Sequence, residues 1–211
     1  MRESTAIIAI ARAAHDSPGR HYHTWEHVEE CLAKAEDFPC DSTKLVRYAL
    51  LFHDAVYEAG RNDNEARSAE LAARTLAEHG ACTPAEIAEI RRIILATRHH
   101  ALDPNEESRD LRAVLDIDMS ILGAGEARYR RYAEDVRREW VPAVVSAARY
   151  RVGRRRFLES VLARPRIFST EEGAARWESA ARRNVASEIA AIAAGQGIVE
   201  RVLARLLRGR G

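Results

Sequence analysis

The sequence has little of several residue types, and each shortage excludes a class of protein. It holds only 3 cysteines among 211 residues, and no two of them form a C-x-x-C pair. A disulfide scaffold is therefore excluded, and a reducing compartment is the simpler expectation. The 11 glycines and 6 prolines are too few for a collagen or a low-complexity chain.

The chain also lacks an excess of one charge and a long apolar run. Its 33 Lys and Arg residues against 32 Asp and Glu residues leave a formal net charge of +1. This balance indicates neither a globally basic nucleic-acid binder nor an acidic tail. The apolar stretch around Ile7 follows Glu3 and is interrupted by Arg12. Because a bilayer span needs about 20 apolar residues, we expect no signal peptide, no membrane contact and a cytoplasmic location.

The abundant residues predict one all-α domain over residues 1–211. Hydrophobic residues make up 46% and charged residues 31% of the chain, as in a soluble globular protein. A single core serves chains of up to roughly 250 residues, so no division into domains is needed. Ala, Arg, Leu and Glu are frequent, and no segment alternates β-branched with polar residues.

Capping residues divide this domain into helices. The clearest start is Thr83, a capping residue followed by Pro84 and then by Glu86 at the third helical position. Other Ser, Thr and Asp residues give similar starts, and glycines mark several ends. The predicted helices cover about residues 24–37, 41–58, 63–80, 83–100, 108–122, 126–140, 142–163 and 170–194, with a frayed tail beyond 195–197.

Four ionisable side chains interrupt the apolar faces of these helices. Residues three and four apart share a helix face. On that spacing His27 extends the apolar stripe of its helix by one turn, and His53 continues the stripe of the next helix with Asp54 beside it. Asp118 occupies the centre of a later stripe.

Two His and two Asp residues that point into a helical core predict a divalent-metal site. Imidazole nitrogen and carboxylate oxygen suit Zn, Mn or Fe, and the cation neutralises charge whose burial otherwise costs several kcal/mol. The alternative for any single His is a hydrogen-bonded core residue. The neighbouring Asp116 is not included, because it is predicted to project toward Arg112 and solvent.

These residues resemble the HD superfamily of metal-dependent phosphohydrolases. The likeness is carried by His27, by the sequence LFHD over 51–54 and by LDIDMS over 115–120, in the family's order of His, His-Asp, Asp. Segments 20–27, 62–70 and 150–154 look like a bacterial subgroup of predicted phosphohydrolases. The resemblance implies an HD-like helical bundle, with a metal-binding core over about 20–125 and C-terminal helices over about 126–208 packing on it.

The segment that contains His27 carries a second likeness. Tyr22 and His23, followed by His27, are similar to the Tyr-His-Asn-x-x-His motif of cyclic-nucleotide phosphodiesterases, with Thr24 in place of the Asn. The likeness implies that His23 is the general acid that protonates the leaving oxygen, a task suited to a side chain that titrates near neutrality. The alternative is a surface His that precedes a helix.

Further histidines raise the question of a second ion. Helical projection puts His100 nearer than His99 to the apolar stripe of its helix. HD enzymes with two ions hold the second with extra His residues between the His-Asp pair and the last Asp. By that likeness His100 is a second-metal ligand or a phosphate contact, whereas His79 is predicted to be a solvated residue at a helix end.

Glutamate and arginine side chains supply the remaining candidates. Some single-metal HD hydrolases use a nearby Glu to orient the attacking water, and the resemblance favours Glu65 over Glu58. The alternative for Glu65 is a helix-start residue that stabilises the helix dipole. An arginine-rich segment over 149–166 offers bidentate phosphate binding, with Arg151 and Arg154 as the candidate substrate contacts. It lacks the aromatic stacking platforms that would favour nucleic acid.

The resulting hypothesis is a phosphohydrolase whose divalent ion, Mn, Fe, Zn, Ni or Mg, activates water to cleave a small phosphate ester such as a nucleotide. Two alternatives stay open. One is a di-iron oxygenase of the HD fold, which would need His79, His99 and His100 to complete its ligand set. The other is a non-catalytic module that senses a nucleotide or binds metal. The apolar faces over 185–194 would serve a core or a homo-oligomer equally.

Overall fold

The computed structural model describes residues 5–100 and 106–208, with side chains placed to residue 195. All regular structure in these ranges is helical, which confirms the predicted all-α class. The main helices are α1 (Thr5–His15), α2 (Trp25–Ala35), α3 (Thr43–Phe52), α4 (Asn64–Glu78), α5 (Pro84–Ala96), α6 (Arg109–Met119), α7 (Glu126–Trp140), α8 (Ala147–Leu162), the short α9 (Glu171–Gly173) and α10 (Ser179–Arg208). A 3-10 turn (Ser120–Gly123) follows α6, and a π turn (Ala174–Glu178) precedes α10.

Several helices begin where their capping residues predict. Ser42 Oγ accepts a hydrogen bond from the Leu45 N–H at the start of α3. Thr83 and Glu86 form a reciprocal capping box at the start of α5. Helix α7 has the predicted bounds, Glu126–Trp140. The starts of α3 and α5 depend on local hydrogen bonds, which explains why the sequence alone places them.

Other predicted bounds are wrong. Helix α3 ends at Phe52 rather than near Glu58, and α5 ends at Ala96 rather than near His100. Helix α8 begins at residue 147, five residues later than predicted, after a cis peptide bond before Pro142. Helix α10 runs past the glycines at 195 and 197 to residue 208, so the predicted frayed tail is wrong as well. Helix α1 was not predicted at all.

The first hydrophobic cluster lies within α1 to α6, and α3 is at its centre. This helix contacts α1, α2, α4, α5 and α6. Its last three residues, Leu50, Leu51 and Phe52, are fully buried, so the chain leaves this helix from the middle of the core. At about 25 cal/mol per Å² of apolar surface, each such side chain contributes about 2 kcal/mol of transfer free energy.

The second cluster lies between α7, α8 and α10 and packs on the first. Leu122 of the 3-10 turn, Leu158 and Phe168 are fully buried in it, and Trp177 contacts both clusters. A Cβ at Gly123 would lie 2.6 Å from the Trp177 Cβ, so the close approach of the two segments requires glycine. The C-terminal helices are thus packed tightly against the end of α6.

Asp116 is buried, which corrects the prediction that it faces Arg112 and solvent. Its side chain accepts four hydrogen bonds of 2.6 to 3.0 Å from the backbone N–H and hydroxyl groups of Ser169 and Thr170. A Cβ at Gly173 would lie 2.4 Å from the Asp116 Oδ2, so this carboxylate also leaves room for no larger residue there. Asp116 therefore fixes the segment before α9 to the metal-proximal end of α6. Within the ranges described, no helix is both long enough and apolar enough to cross a membrane.

Candidate metal centre

The four predicted ligands come from three helices that meet in the first cluster. His27 lies in the first turn of α2, His53 follows the last residue of α3, and Asp118 lies in the last turn of α6. Asp54 is adjacent to His53, where the chain leaves the helix. The two His side chains are 1 to 2% exposed and the two Asp side chains 13 to 15% exposed, so the His residues form the floor of the site.

The ligand atoms of these residues converge. His27 Nε2 lies 3.1 Å from His53 Nε2 and 3.1 Å from Asp118 Oδ1. His53 Nε2 lies 3.1 Å from Asp54 Oδ2 and 3.5 Å from Asp118 Oδ1. His27, His53 and Asp118 form a group able to hold one metal ion, and Asp54 borders it.

Neighbouring groups hold the His53 ring and the backbone beside the site. His53 Nδ1 lies 2.8 Å from the Leu50 carbonyl oxygen, so it donates its proton there and Nε2 carries the lone pair of the neutral ring. The buried guanidinium of Arg20 donates to the carbonyl oxygens of His23, Asp54 and Ala55, at 2.6 to 3.1 Å. The backbone on both sides of the site is therefore held by one cation.

The electrostatics of the cluster favour a cation between the side chains. Burial lowers the pKa of His53, but the charges of Asp54 and Asp118 outweigh this effect and the net pKa is raised. Burial raises the pKa of Asp118, but His53, His100 and His27 outweigh it and the net pKa is lowered well below its usual range. Two buried carboxylates thus require positive charge from their neighbours, supplied either by protons or by a metal ion.

The spacing of the donor atoms fits a metal ion. Two ligand atoms that each lie about 2.1 Å from one ion are separated by about 3.0 to 3.4 Å in octahedral or tetrahedral coordination. Three of the separations given above are 3.1 Å. An N₂O₂ donor set suits Zn, Mn, Fe or Ni, and Mg to a lesser degree because Mg prefers oxygen.

His100 joins the cluster, and His99 and His79 do not. His100 Nε2 lies 2.7 Å from Asp118 Oδ2, on the oxygen that His27 and His53 do not contact. His99 is exposed, and His79 is an exposed residue that ends α4. The structure thus brings only one of the three extra histidines to the site, and a di-iron ligand set that uses all three is not assembled.

His23 is held beside the cluster by a buried carboxylate. Glu139, at the end of α7, accepts a hydrogen bond of 2.7 Å from His23 Nδ1 with one oxygen. Its other oxygen accepts the backbone N–H groups of His21, Tyr22 and His23 at 2.8 to 3.0 Å. Burial raises the pKa of Glu139, but the His23 contact and these N–H groups outweigh it and lower the pKa to about 2. The His23 ring also stacks on Tyr57, with centroids 3.9 Å apart.

A cavity of about 580 Å³ opens on these groups, a size typical of small-molecule sites, which span roughly 300 to 1,000 Å³. His23, Asp54, Glu65, His100 and Asp118 all line it. Glu65 lies in the first turn of α4, as the helix-dipole alternative requires, and it also reaches the cavity.

The two predicted arginines are placed differently. Arg154 lines the cavity, but its guanidinium is buried, pairs with Glu188 at 2.9 to 3.1 Å and donates to the Tyr132 hydroxyl. Arg151 lines a separate cavity between α7, α8 and α10 and does not line this one. Arg149, two residues earlier, does line the cavity of the metal centre.

Sequence reasoning missed Glu139 and Arg20 as site residues. Glu139 lies 116 residues from His23 in the chain, on a helix rich in charged residues, and no local signal separates it from its neighbours. Arg20 belongs to the segment 20–27 that carries the family likeness, but its three carbonyl partners are set by the fold. No family model matches this chain, and searches of curated proteins and of solved structures also find no match.

Proposed function

We propose that the protein is a metal-dependent phosphohydrolase that cleaves a phosphate ester of a small molecule. The observation that carries the proposal is the shared cavity: Asp54 and Asp118 of the His and Asp cluster line the same space as His23, which Glu139 holds. The likeness to the HD superfamily, stated above on sequence motifs, supports the same chemistry. A general acid beside a metal centre is the arrangement that ester hydrolysis requires.

The four ligands account for the chemistry of the metal. His27 and His53 offer ring nitrogens, and Asp54 and Asp118 neutralise the charge of a divalent ion. When bound, such an ion supplies a water of lowered pKa and polarises a phosphoryl oxygen. The burial of the two His rings keeps the ligand positions rigid, which preserves the geometry that this chemistry needs.

In this proposal His23 protonates the leaving oxygen and Glu65 orients the attacking water. Glu139 holds His23 at Nδ1, which leaves Nε2 to carry the proton that the leaving oxygen receives. Glu65 faces the cavity and orients the attacking water. His100, on the second oxygen of Asp118, donates to a phosphoryl oxygen or holds a second ion.

The test combines metal analysis with phosphate release. Wild-type protein is purified, reconstituted separately with Mn, Fe, Zn, Ni and Mg, and assayed on a panel of phosphate monoesters. Asp54→Ala removes one ligand and leaves a space, so we expect loss of bound metal and a fall in turnover of at least about 100-fold. The matched control is Asp63→Ala, because the Asp63 side chain is 40% exposed, precedes α4 and forms an ion pair with Arg61.

Three outcomes contradict the proposal in different ways. Full turnover by metal-free Asp54→Ala excludes the metal mechanism. Ligand binding without consumption by the reconstituted wild type supports the non-catalytic sensing module instead. Iron retention together with oxygen-dependent turnover supports the oxygenase alternative.

A further inference from the structure

The cavity of the metal centre has two chemically different ends. Its floor is the cluster of His and Asp side chains. Another wall belongs to α7, α8, the segment between them and the 3-10 turn, and its side chains are mainly apolar or aromatic. Those that matter here are Ile121, Leu122, Val136, Trp140, Val145 and Phe157.

Several polar groups near this wall are engaged, although the buried hydroxyls of Tyr22 and Tyr150, which also line the cavity, have no partner among the described residues. The Tyr132 hydroxyl accepts a hydrogen bond of 3.1 Å from Arg154, and Arg154 is itself paired with Glu188. Thr97 Oγ1 donates to the Ile94 carbonyl oxygen at 2.7 Å. A ligand that lies against the wall therefore meets apolar surface and ring faces, with few free hydrogen-bond donors or acceptors to recognise its edges.

One aromatic side chain of the wall is exposed. Phe157 is 38% exposed although it lines the cavity, and the Arg154 guanidinium packs over its ring at 5.5 Å from the centroid. Exposed apolar surface inside a concave site marks the place where a ligand binds. A flat ring would pack on this surface and on Trp140, since aromatic rings favour offset and edge contacts.

Two cations lie at the rim. Arg98 and Arg149 are exposed, both line the cavity, and neither side chain has a carboxylate partner in the described part of the chain. Unpaired guanidinium groups attract a phosphate to the opening. The cavity thus combines a site for an anion at one end with a site for an apolar group at the other.

We propose that the substrate is a phosphate ester whose organic part is a flat, largely apolar ring system that packs against the α7–α8 wall. This inference rests on the proposed function for the phosphate end. Nucleoside monophosphates and simpler ring-bearing phosphate esters both fit this description, and the experiment distinguishes between these two kinds of substrate.

The test compares esters of primary alcohols, so that the leaving groups are alike. Nucleoside 5′-monophosphates of purines and pyrimidines form one arm and 2-phenylethyl phosphate forms another. Glucose 6-phosphate, which has a polar ring, and hexyl phosphate, which has a flexible apolar chain, are the comparison substrates. We expect kcat/KM for the aromatic arms to exceed that for glucose 6-phosphate by at least about tenfold, the scale of apolar pocket discrimination.

Phe157→Ala is the informative variant, because an exposed residue can be truncated without loss of the fold. It should raise KM for the aromatic esters about tenfold, a larger increase than for glucose 6-phosphate. Val152→Ala is the matched control, since Val152 is 44% exposed on the same helix but does not line the cavity. Turnover of nucleotides but not of 2-phenylethyl phosphate would identify the nucleotide source and overturn the broader ring class.

A binding measurement separates this inference from the proposed function. Adenosine and 2-phenylethanol are titrated into the protein by calorimetry, with no phosphate present. If no ester is hydrolysed but both ligands bind and Phe157→Ala weakens them, the ring site holds and the hydrolase proposal fails. If esters are hydrolysed but glucose 6-phosphate or hexyl phosphate equals the aromatic esters in kcat/KM, the ring site fails and the hydrolase proposal holds.

Discussion

The buried His15 predicts a loss of stability in mild acid. The side chain lies in the last turn of α1, is 2% exposed and contacts the edge of Trp25. Its Nδ1 donates to the Ala11 carbonyl oxygen at 2.8 Å, and its Nε2 has no partner in the structure as described. Burial lowers the pKa of His15 from 6.5 to about 4, because a second proton on the ring would be desolvated and unpaired.

The sign and size of the effect follow from proton linkage. Between pH 6.5 and pH 4 the unfolded chain binds a proton at His15 and the folded protein does not, so the free energy of unfolding falls as pH falls. Each pKa unit is worth about 1.36 kcal/mol. The contribution is near zero above pH 7, about 2 kcal/mol at about pH 5, and about 3.4 kcal/mol once the pH is below about 4.

Urea unfolding at about pH 7.5 and about pH 5 measures this contribution. His15→Leu removes the titrating group, so its free energy of unfolding should fall between the two pH values by about 2 kcal/mol less than that of the wild type. His79→Leu is the matched control, because His79 is exposed at the end of α4. An equal fall in wild type and His15→Leu would refute the reasoning, whatever the stability of the variant at neutral pH.

Two further predictions concern the candidate general acid and a pair of glycines. Glu139→Gln keeps the side-chain size but removes the charge that holds His23. The turnover of alkyl phosphates should therefore fall about 100-fold. The turnover of p-nitrophenyl phosphate should change less than about threefold, because its leaving group needs little protonation. Steady-state kinetics on both esters test this, and equal losses would contradict the role of His23. Gly60→Ala should destabilise the fold, because φ is +86° and a Cβ would lie 2.6 Å from Val144 Cγ1. Gly153 lies in helix α8 with open space around its Cα, so Gly153→Ala should raise the free energy of unfolding by about 0.5 to 1 kcal/mol in urea titrations. A change of the same sign in both variants would contradict this reasoning.

The parts of the fold that sequence reasoning placed correctly depend on local interactions. The Thr83 capping box and the bounds of α7 are set by residues within one or two turns of each other. The candidate metal ligands share this property in one respect, because each interrupts an apolar helix face and so is predicted to point inward. His27, His53 and Asp118 could therefore be chosen without knowledge of how the helices pack.

The parts that were missed depend on contacts between distant segments. Asp116 and Asp118 are two residues apart, and the helical projection placed only Asp118 inside. Asp116 is buried because the segment before α9 covers it and donates four hydrogen bonds, 53 and 54 residues away in the chain. The end of α3 is a second case: Ala55 and Asp54 leave the helix where Arg20 binds their carbonyl oxygens. No helix propensity encodes either event.

The candidate general acid and the metal ligands are held by different halves of the molecule. The ligands lie on α2, α3 and α6, whereas Glu139 at the end of α7 holds His23 at 2.7 Å. The pair between Arg128 of α7 and Glu30 of α2, with bonds of 2.7 and 2.9 Å, connects α7 to one of the ligand-bearing helices. The distance from His23 to the cluster therefore depends on how the second hydrophobic cluster packs on the first. Because a misplacement of about 1 Å in a reacting group can cost about 100-fold in rate, the proposed hydrolase mechanism depends on the C-terminal helices although they supply none of the four candidate ligands.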